Sequence, residues 1–410
     1  MFLLPIVYLF FSFWDDKELR YEDFTYEDNI KTARLYPLTD NQLGKMASPV
    51  ISVNSNSLLL EFDDLQPDRN NYYVKIYSCD YNWEKSRLHD LDFLHEYNEF
   101  NILDFAYSNN RSMAYVHYKF SVPPVKISGN YLLVVYRDGD LSDLVLTKRF
   151  MVSSNKISVH QNSNLGINTL RSTNQQFNFI LKYDGLDIPN PIESVNVVIR
   201  QNQRWDNAQR DFKPSFINEG SKTLEYRLFN TDKGFQAGNE FRFVDFRSVN
   251  SPGQNVGRLQ YNNNEFFLDV ALDGERTTQR YAQFQDLNGN YVVENIDSGN
   301  GDLSGNYLNV KFTLLSPKPY NSKVYVMGAF NGWIKTEANE MKFRQGQYTC
   351  EMILKQGFYN YAYINEDDSE NIEGNHYETE NFYEVFVYNH TYFPDADQLV
   401  GYYSFVVNKR

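Results

Sequence analysis

The stretch from Lys323 to Tyr363, KVYVMGAFNGWIKTEANEMKFRQGQYTCEMILKQGFYNYAY, decides the fold. Its apolar residues recur at every second position in three runs, which is the pattern of strands with one buried face. Those runs are Val324 and Val326, then Tyr348, Cys350, Met352 and Leu354, then Tyr359, Tyr361 and Tyr363. Gly and Asn residues that favour turns separate the runs. The stretch therefore predicts a small antiparallel β-domain.

The rest of the chain has the same character. It contains 410 residues, including 32 Tyr and 31 Phe, which is more than one ordinary core accommodates. Aromatic residues between closely spaced turns favour short strands. Tyr131–Tyr136 (YLLVVY) is apolar on both faces, which indicates a central strand of a sandwich. The sequence therefore predicts an all-β protein of several β-sandwich domains.

Loop-rich segments predict the domain boundaries. The prediction is an apolar leader at residues 1–20, an N-terminal β-sandwich at 21–155, a middle β-sandwich at 156–305 and a C-terminal β-sandwich at 306–410. Within the first sandwich, Asp63-Asp64 is interpreted as a turn after a strand.

The leader, MFLLPIVYLFFSFW from Met1 to Trp14, is continuously apolar. It is shorter than the ~20 residues that a spanning helix needs, but its length suits the apolar region of a secretory signal. No Lys or Arg precedes it and no A-x-A site follows it. We favour export, with an N-terminal apolar strand as the alternative, and we expect no membrane-spanning segment.

Charge and motifs narrow the function classes. The 39 basic and 53 acidic residues give a net charge of −14 without a basic stripe, which argues against a nucleic-acid partner. The six His residues lack zinc-binding spacing, and the chain has no nucleotide-binding or hydrolase signature. Cys79 and Cys350 are interpreted as buried free thiols. We therefore predict no catalytic residue, no metal and no cofactor.

Two acidic segments have alternative interpretations. Asp286–Asn290 begins like a calcium-binding loop but lacks its closing Glu, so a hairpin turn is favoured. The carboxylates of residues 366–384 could include the pair that glycoside hydrolysis requires. A solvated acidic loop is favoured there, because Asn, Gly and Ser interleave the charges.

The segment Gly328-Ala-Phe-Asn-Gly-Trp333, followed by Met341, resembles the early-set, immunoglobulin-like modules that bind glycogen and starch. The resemblance implies that Trp333 stacks on a sugar ring and that Asn331 binds its hydroxyls. The second aromatic platform of such modules has no Trp here. The alternative is that Trp333 caps the sandwich core.

A second resemblance extends from Tyr21 to Tyr403. In order, its motifs are Tyr26–Thr32, Phe62–Leu65, Tyr77–Trp83, Ser128–Leu132, Val135-Tyr136, Gln203–Asp206, Glu240–Asp245, Arg247-Ser248, Tyr281, Asp286–Gly289, Gly328–Trp333, Met341, Ile372–Gly374, Glu378–Asn381, Phe386–Tyr388 and Asp397–Gly401. With these residues the chain resembles the type IX secretion plug proteins of Bacteroidetes.

The plug resemblance implies three immunoglobulin-like, early-set β-sandwiches in series and no enzymatic activity. It also implies a periplasmic protein that docks on the outer-membrane β-barrel translocon of type IX secretion and occludes it. We expect a monomer apart from that translocon, whose interface residues stay unknown. The alternative function is carbohydrate binding by the C-terminal module through Trp333 and Asn331.

Overall fold

The computed structural model describes residues 17–53, 58–162, 173–227, 234–251, 253–299, 301–367 and 370–409. Most of the predicted leader at residues 1–20 lies outside these ranges. The described strands form six sheets, arranged as β-sandwiches in three units, so the all-β prediction is confirmed. Every α-helix in these ranges is a single turn of four residues, and none is long and apolar enough to cross a bilayer.

The first unit packs two sheets around one core. Its elements are β1 (Phe24–Thr25), β2 (Ile30–Pro37), β3 (Val50–Ser52), β4 (Leu58–Asp64), β5 (Tyr72–Cys79), α1 (Asp90–Phe93), β6 (Phe100–Asn101), β7 (Asp104–Tyr107), β8 (Val116–Ser121), β9 (Gly129–Arg137) and β10 (Asp140–Ser153). One sheet has the order β1-β10-β9-β5-β6, with β3 against β10, and the other has the order β2-β4-β8-β7. Alternate residues of β4 and β5 enter the core between them.

Strand β9 explains how the first two units join. Residues 131–136 are at most 2% exposed, as expected of the predicted central strand. Tyr131, Leu133 and Val135 face the core of the first unit, whereas Leu132 and Val134 pack with residues of the second unit. One strand therefore contributes to two hydrophobic clusters.

The second unit begins after residue 156. Its first elements are β11 (Ser158–Asn162), β12 (Asn174–Gln175), β13 (Asn178–Lys182), α2 (Pro191–Ser194), β14 (Val195–Gln201), β15 (Phe216–Asn218), β16 (Thr223–Tyr226) and β17 (Phe235–Gln236). Sheet β11-β13-β16-β15 forms one layer.

The third unit contains the stretch that decides the fold. Its elements are β18 (Arg242–Asp245), β19 (Val256–Asn262), β20 (Glu265–Val270), β21 (Asp273–Gly274), β22 (Tyr291–Val293), α3 (Gly301–Ser304), β23 (Tyr307–Leu315), β24 (Val324–Met327), β25 (Glu340–Arg344), β26 (Gln347–Lys355) and β27 (Gly357–Asn365). Tyr348, Tyr359, Tyr361 and Tyr363 are 1–4% exposed in its core, as the alternation predicts.

The chain then returns to the second unit with β28 (Asn381–Tyr392) and β29 (Asp395–Val407). Strand β28 pairs with β14 from Val195↔Asn389 to Gln201↔Tyr383, and Tyr383, Val385 and Val387 enter the second core. The predicted boundary between residues 305 and 306 places β14 and β28 in different domains, whereas the two strands pair in one sheet. Most of β14 is buried, so it needs a covering partner, and the end of the chain supplies that partner.

Candidate functional site at the junction of the units

The second face of sheet β2-β4-β8-β7 carries charged residues. In β4, Leu58, Leu60 and Phe62 enter the core, so Glu61 and Asp63 lie on the opposite face. Both carboxylates are only 1% exposed because the third unit covers this face. The interpretation of Asp63-Asp64 as a turn is wrong, since β4 continues through Asp64.

Asp63 accepts charged and neutral donors from two units. The Lys355 Nζ, at the end of β26, lies 2.7 Å from Asp63 Oδ2, and both side chains are 1% exposed. The Tyr307 hydroxyl donates to the same oxygen at 2.6 Å, and His117 Nδ1 lies 2.7 Å from Oδ1. A buried ion pair with several hydrogen bonds thus connects the first unit to the third.

A second group surrounds Glu61. The Arg34 Nη2 lies 3.1 Å from Glu61 and 3.1 Å from Asp302 of α3. The Lys45 Nζ lies 3.3 Å from Glu61 and 3.0 Å from Asp302. Two cations of the first unit are therefore shared between its own carboxylate and one of the third unit. We call the groups around Asp63 and Glu61 the junction network.

Burial and charge oppose each other throughout the junction network. Burial favours a raised pKa for Glu61, but the nearby His117 ring and the charges of Arg34 and Lys45 outweigh it and hold the pKa well below its usual range. Burial likewise opposes ionisation of Asp63, whose pKa the charge of Lys355 keeps low. Both carboxylates are therefore ionised at neutral pH.

His117 lies between the carboxylates of Glu61 and Asp63 in the network. Burial favours a lowered pKa, but the hydrogen bond with Asp63 and the Glu61 carboxylate 3.7 Å from Nε2 overcome it, so the pKa of His117 is raised above 6.5. Glu61, His117 and Asp302 offer ligand atoms within 4.8 Å of one another, as a metal site would. Because Arg34 and Lys45 already neutralise both carboxylates, this arrangement favours ion pairing over a metal ion.

A cavity of about 560 Å³ adjoins the junction network and takes its lining from all three units. The first unit contributes residues from Glu22 to Arg149, the second residues from Arg200 to Arg210, and the third residues from Asn290 to Lys335. We call it the central cavity. Its cationic lining residues are Arg34, Lys45, Lys148, Arg149, Arg200, Arg210 and Lys335.

The sugar-binding prediction singled out Trp333 and Asn331. Trp333 is 6% exposed and packs against Phe241 with ring centroids 5.7 Å apart. The Arg204 guanidinium lies 4.4 Å from the Trp333 ring centroid, and a Cβ on Gly289 would lie 2.6 Å from that ring. The ring is enclosed, which favours the capping alternative.

The Asn331 side chain forms hydrogen bonds within its own loop. Its Nδ2 donates to the Val326 carbonyl at 2.8 Å, and its Oδ1 accepts the amide of Gly328 at 3.1 Å. Sugar binding at Asn331 and Trp333 stays a prediction, but both side chains are already engaged within the protein.

Sequence reasoning missed the junction network, whose members come from six separate elements and one 3-10 turn. One local signal was available in β4. The sequence LLLEFDD places acidic residues inside an apolar strand, where a buried charge requires a partner.

The fold and the junction together define a multi-sandwich β-protein whose units are locked by buried ion pairs. Residues 30–154 match the family described as type 9 secretion system plug protein 1st domain. Over that range the chain is similar to the first domain of type IX secretion plug proteins, and the resemblance is confirmed there. The description of that family names type IX secretion.

One solved structure has a similar fold over almost the whole chain. The chain is 26% identical to a hypothetical protein from Parabacteroides merdae ATCC 43184, with a TM-score of 0.88 over 95% of this chain and 100% of that one. CBD12 from CALX1.2 is 10% identical over 50% of this chain and 72% of that one, with a TM-score of 0.16. No curated protein matches the chain.

Proposed function

We propose that the protein is a non-enzymatic periplasmic plug that docks on the outer-membrane translocon of type IX secretion and occludes it. The observation that carries the proposal is the match of residues 30–154 to the plug family. The junction network supports it physically. A plug must resist deformation across a wide pore, and buried ion pairs oppose separation of the first and third units.

A docking element must present surface that the fold itself does not bury. The turn between β28 and β29 exposes 85% of Tyr392 and 99% of Phe393. Large aromatic side chains are among the commonest anchors of protein interfaces. We assign the contact with the translocon to this hairpin tip.

The test is affinity purification of the tagged full chain from an outer-membrane extract, with the recovered proteins identified by mass. We expect recovery of a very large outer-membrane β-barrel, and much less of it with Phe393→Ser. The matched control is Phe216→Ser, because Phe216 is 53% exposed in the same unit but lies away from the hairpin tip in sequence. Recovery of no barrel overturns the docking proposal, and equal loss with both variants overturns the assignment to the tip.

A further inference from the structure

The central cavity has the opposite charge to the chain as a whole. Seven cationic and three acidic residues line it, although the net charge of the chain is −14. The three acidic residues already have partners. Asp206 lies 2.5 Å from Arg204, Asp23 accepts the backbone amide of Arg149 at 2.6 Å, and Glu22 lies 3.3 Å from an exposed arginine. Arg34, Lys45 and Arg200 are likewise paired with carboxylates, so the surplus of positive charge rests on Lys148 and Arg149.

Arg149 contributes a buried cation to that surplus. Its Nε donates to the Tyr21 carbonyl at 2.8 Å, and its Nη2 donates to the same oxygen. The guanidinium lies 4.7 Å from the ring centroid of Trp83 and 5.6 Å from that of Trp205. Within the described ranges, no carboxylate forms an ion pair with it. Burial lowers the pKa of Arg149 to about 10, so the group stays charged at neutral pH.

Two further donors of the first unit line the same cavity. Lys148 precedes Arg149 on β10, and no carboxylate of the described residues forms an ion pair with its amine. Arg34 is 9% exposed, and its Nε is buried without a hydrogen-bond partner in the described part of the chain. A buried donor without an acceptor is unfavourable, and an anionic ligand would supply the acceptor.

We propose that the central cavity binds a small organic molecule with two or more carboxylates. Guanidinium groups donate in pairs to carboxylate oxygens, which suits Arg149. The ring of Trp205 is half-buried, also lines the cavity and offers an apolar face to a carbon skeleton. A volume of about 560 Å³ lies within the range of ligand sites, roughly 300–1,000 Å³.

The test is isothermal titration of the purified full chain with citrate and with inorganic phosphate at matched ionic strength. We expect citrate to bind more tightly than phosphate, and Lys148→Gln to weaken citrate binding about tenfold through loss of one charged hydrogen bond. Lys75→Gln is the matched control, because Lys75 lies half-buried on β5 of the same sheet but does not line the cavity.

Three results would overturn the proposal. They are no citrate binding, phosphate binding at least as tight as citrate binding, and equal weakening by Lys148→Gln and Lys75→Gln. The titration uses the chain without a translocon, so its failure and the failure of docking are distinguishable. Circular dichroism of both variants checks that the fold is kept.

Discussion

The ion pair between Lys355 and Asp63 provides the sharpest test of the junction network. Replacement of Lys355 by Met keeps an apolar stem of similar length and removes the charge. Asp63 then remains as a carboxylate that is 1% exposed and has lost its cation at 2.7 Å. The hydrogen bonds from Tyr307 and His117 remain and moderate the loss.

The size of the effect follows from these contacts. Removal of one partner from a buried pair costs about 3–5 kcal/mol of unfolding free energy. Since Asp63 keeps two other donors, we expect the lower end of that range for Lys355→Met. The double variant Lys355→Met with Asp63→Asn has no uncompensated carboxylate, so it should recover about 2 kcal/mol relative to the sum of the single changes.

Urea unfolding followed by circular dichroism measures these differences, with the wild type, both single variants and the double variant under one buffer. Lys342→Met is the matched control, because Lys342 pairs with Glu340 at 2.5 Å but is 64% exposed on the same unit. We expect its midpoint to be close to that of the wild type. A urea midpoint of Lys355→Met equal to that of the control, or additive effects in the double variant, would show that the pair of Lys355 and Asp63 does not stabilise the fold.

Three further results are expected. His117 has a raised pKa, so its stabilising contribution is present below the unfolded pKa of about 6.5 and is lost as pH rises through the folded pKa. The difference in unfolding free energy between the wild type and His117→Gln should therefore narrow over that pH interval. A difference that widens would contradict the assignment. Burial raises the pKa of Cys79 and Cys350 to about 12, so iodoacetamide should label neither thiol before unfolding. Mass spectrometry of the treated native protein measures the labelling, and a labelled thiol would contradict this expectation. Trp333→Ala should cost about 3–5 kcal/mol, measured by thermal unfolding, because the ring is enclosed; an unchanged stability with lost glucan binding would favour the sugar platform instead.

Much of the fold could be predicted because local patterns carry it. Alternation in residues 347–363 predicts strands whose Tyr side chains enter one core, and YLLVVY predicts a strand covered on both faces. The pairing of β14 with β28 could not be predicted, since nearly two hundred residues separate Val195 from Asn389 and no local turn connects them. Long-range order within a sheet leaves no local trace in the sequence.

The site was less accessible for the same reason. The role of Glu61 and Asp63 becomes visible only when Lys355 and Asp302 of the third unit are placed beside them in the fold. Trp333 was conspicuous in the sequence because it follows a turn, but the turn encloses its ring instead of exposing it. The exposure of a side chain depends on neighbours that are distant in sequence. Motif spacing alone therefore predicts neither the junction network nor the burial of Trp333.

We propose that this protein closes the type IX translocon. Solute release from liposomes that contain the purified translocon, with and without the added protein, tests this proposal. We expect the wild type to slow release in proportion to its occupancy, and Phe393→Ser to do so only at higher concentration. Release that stays unchanged while the protein is bound to the translocon would contradict the claim.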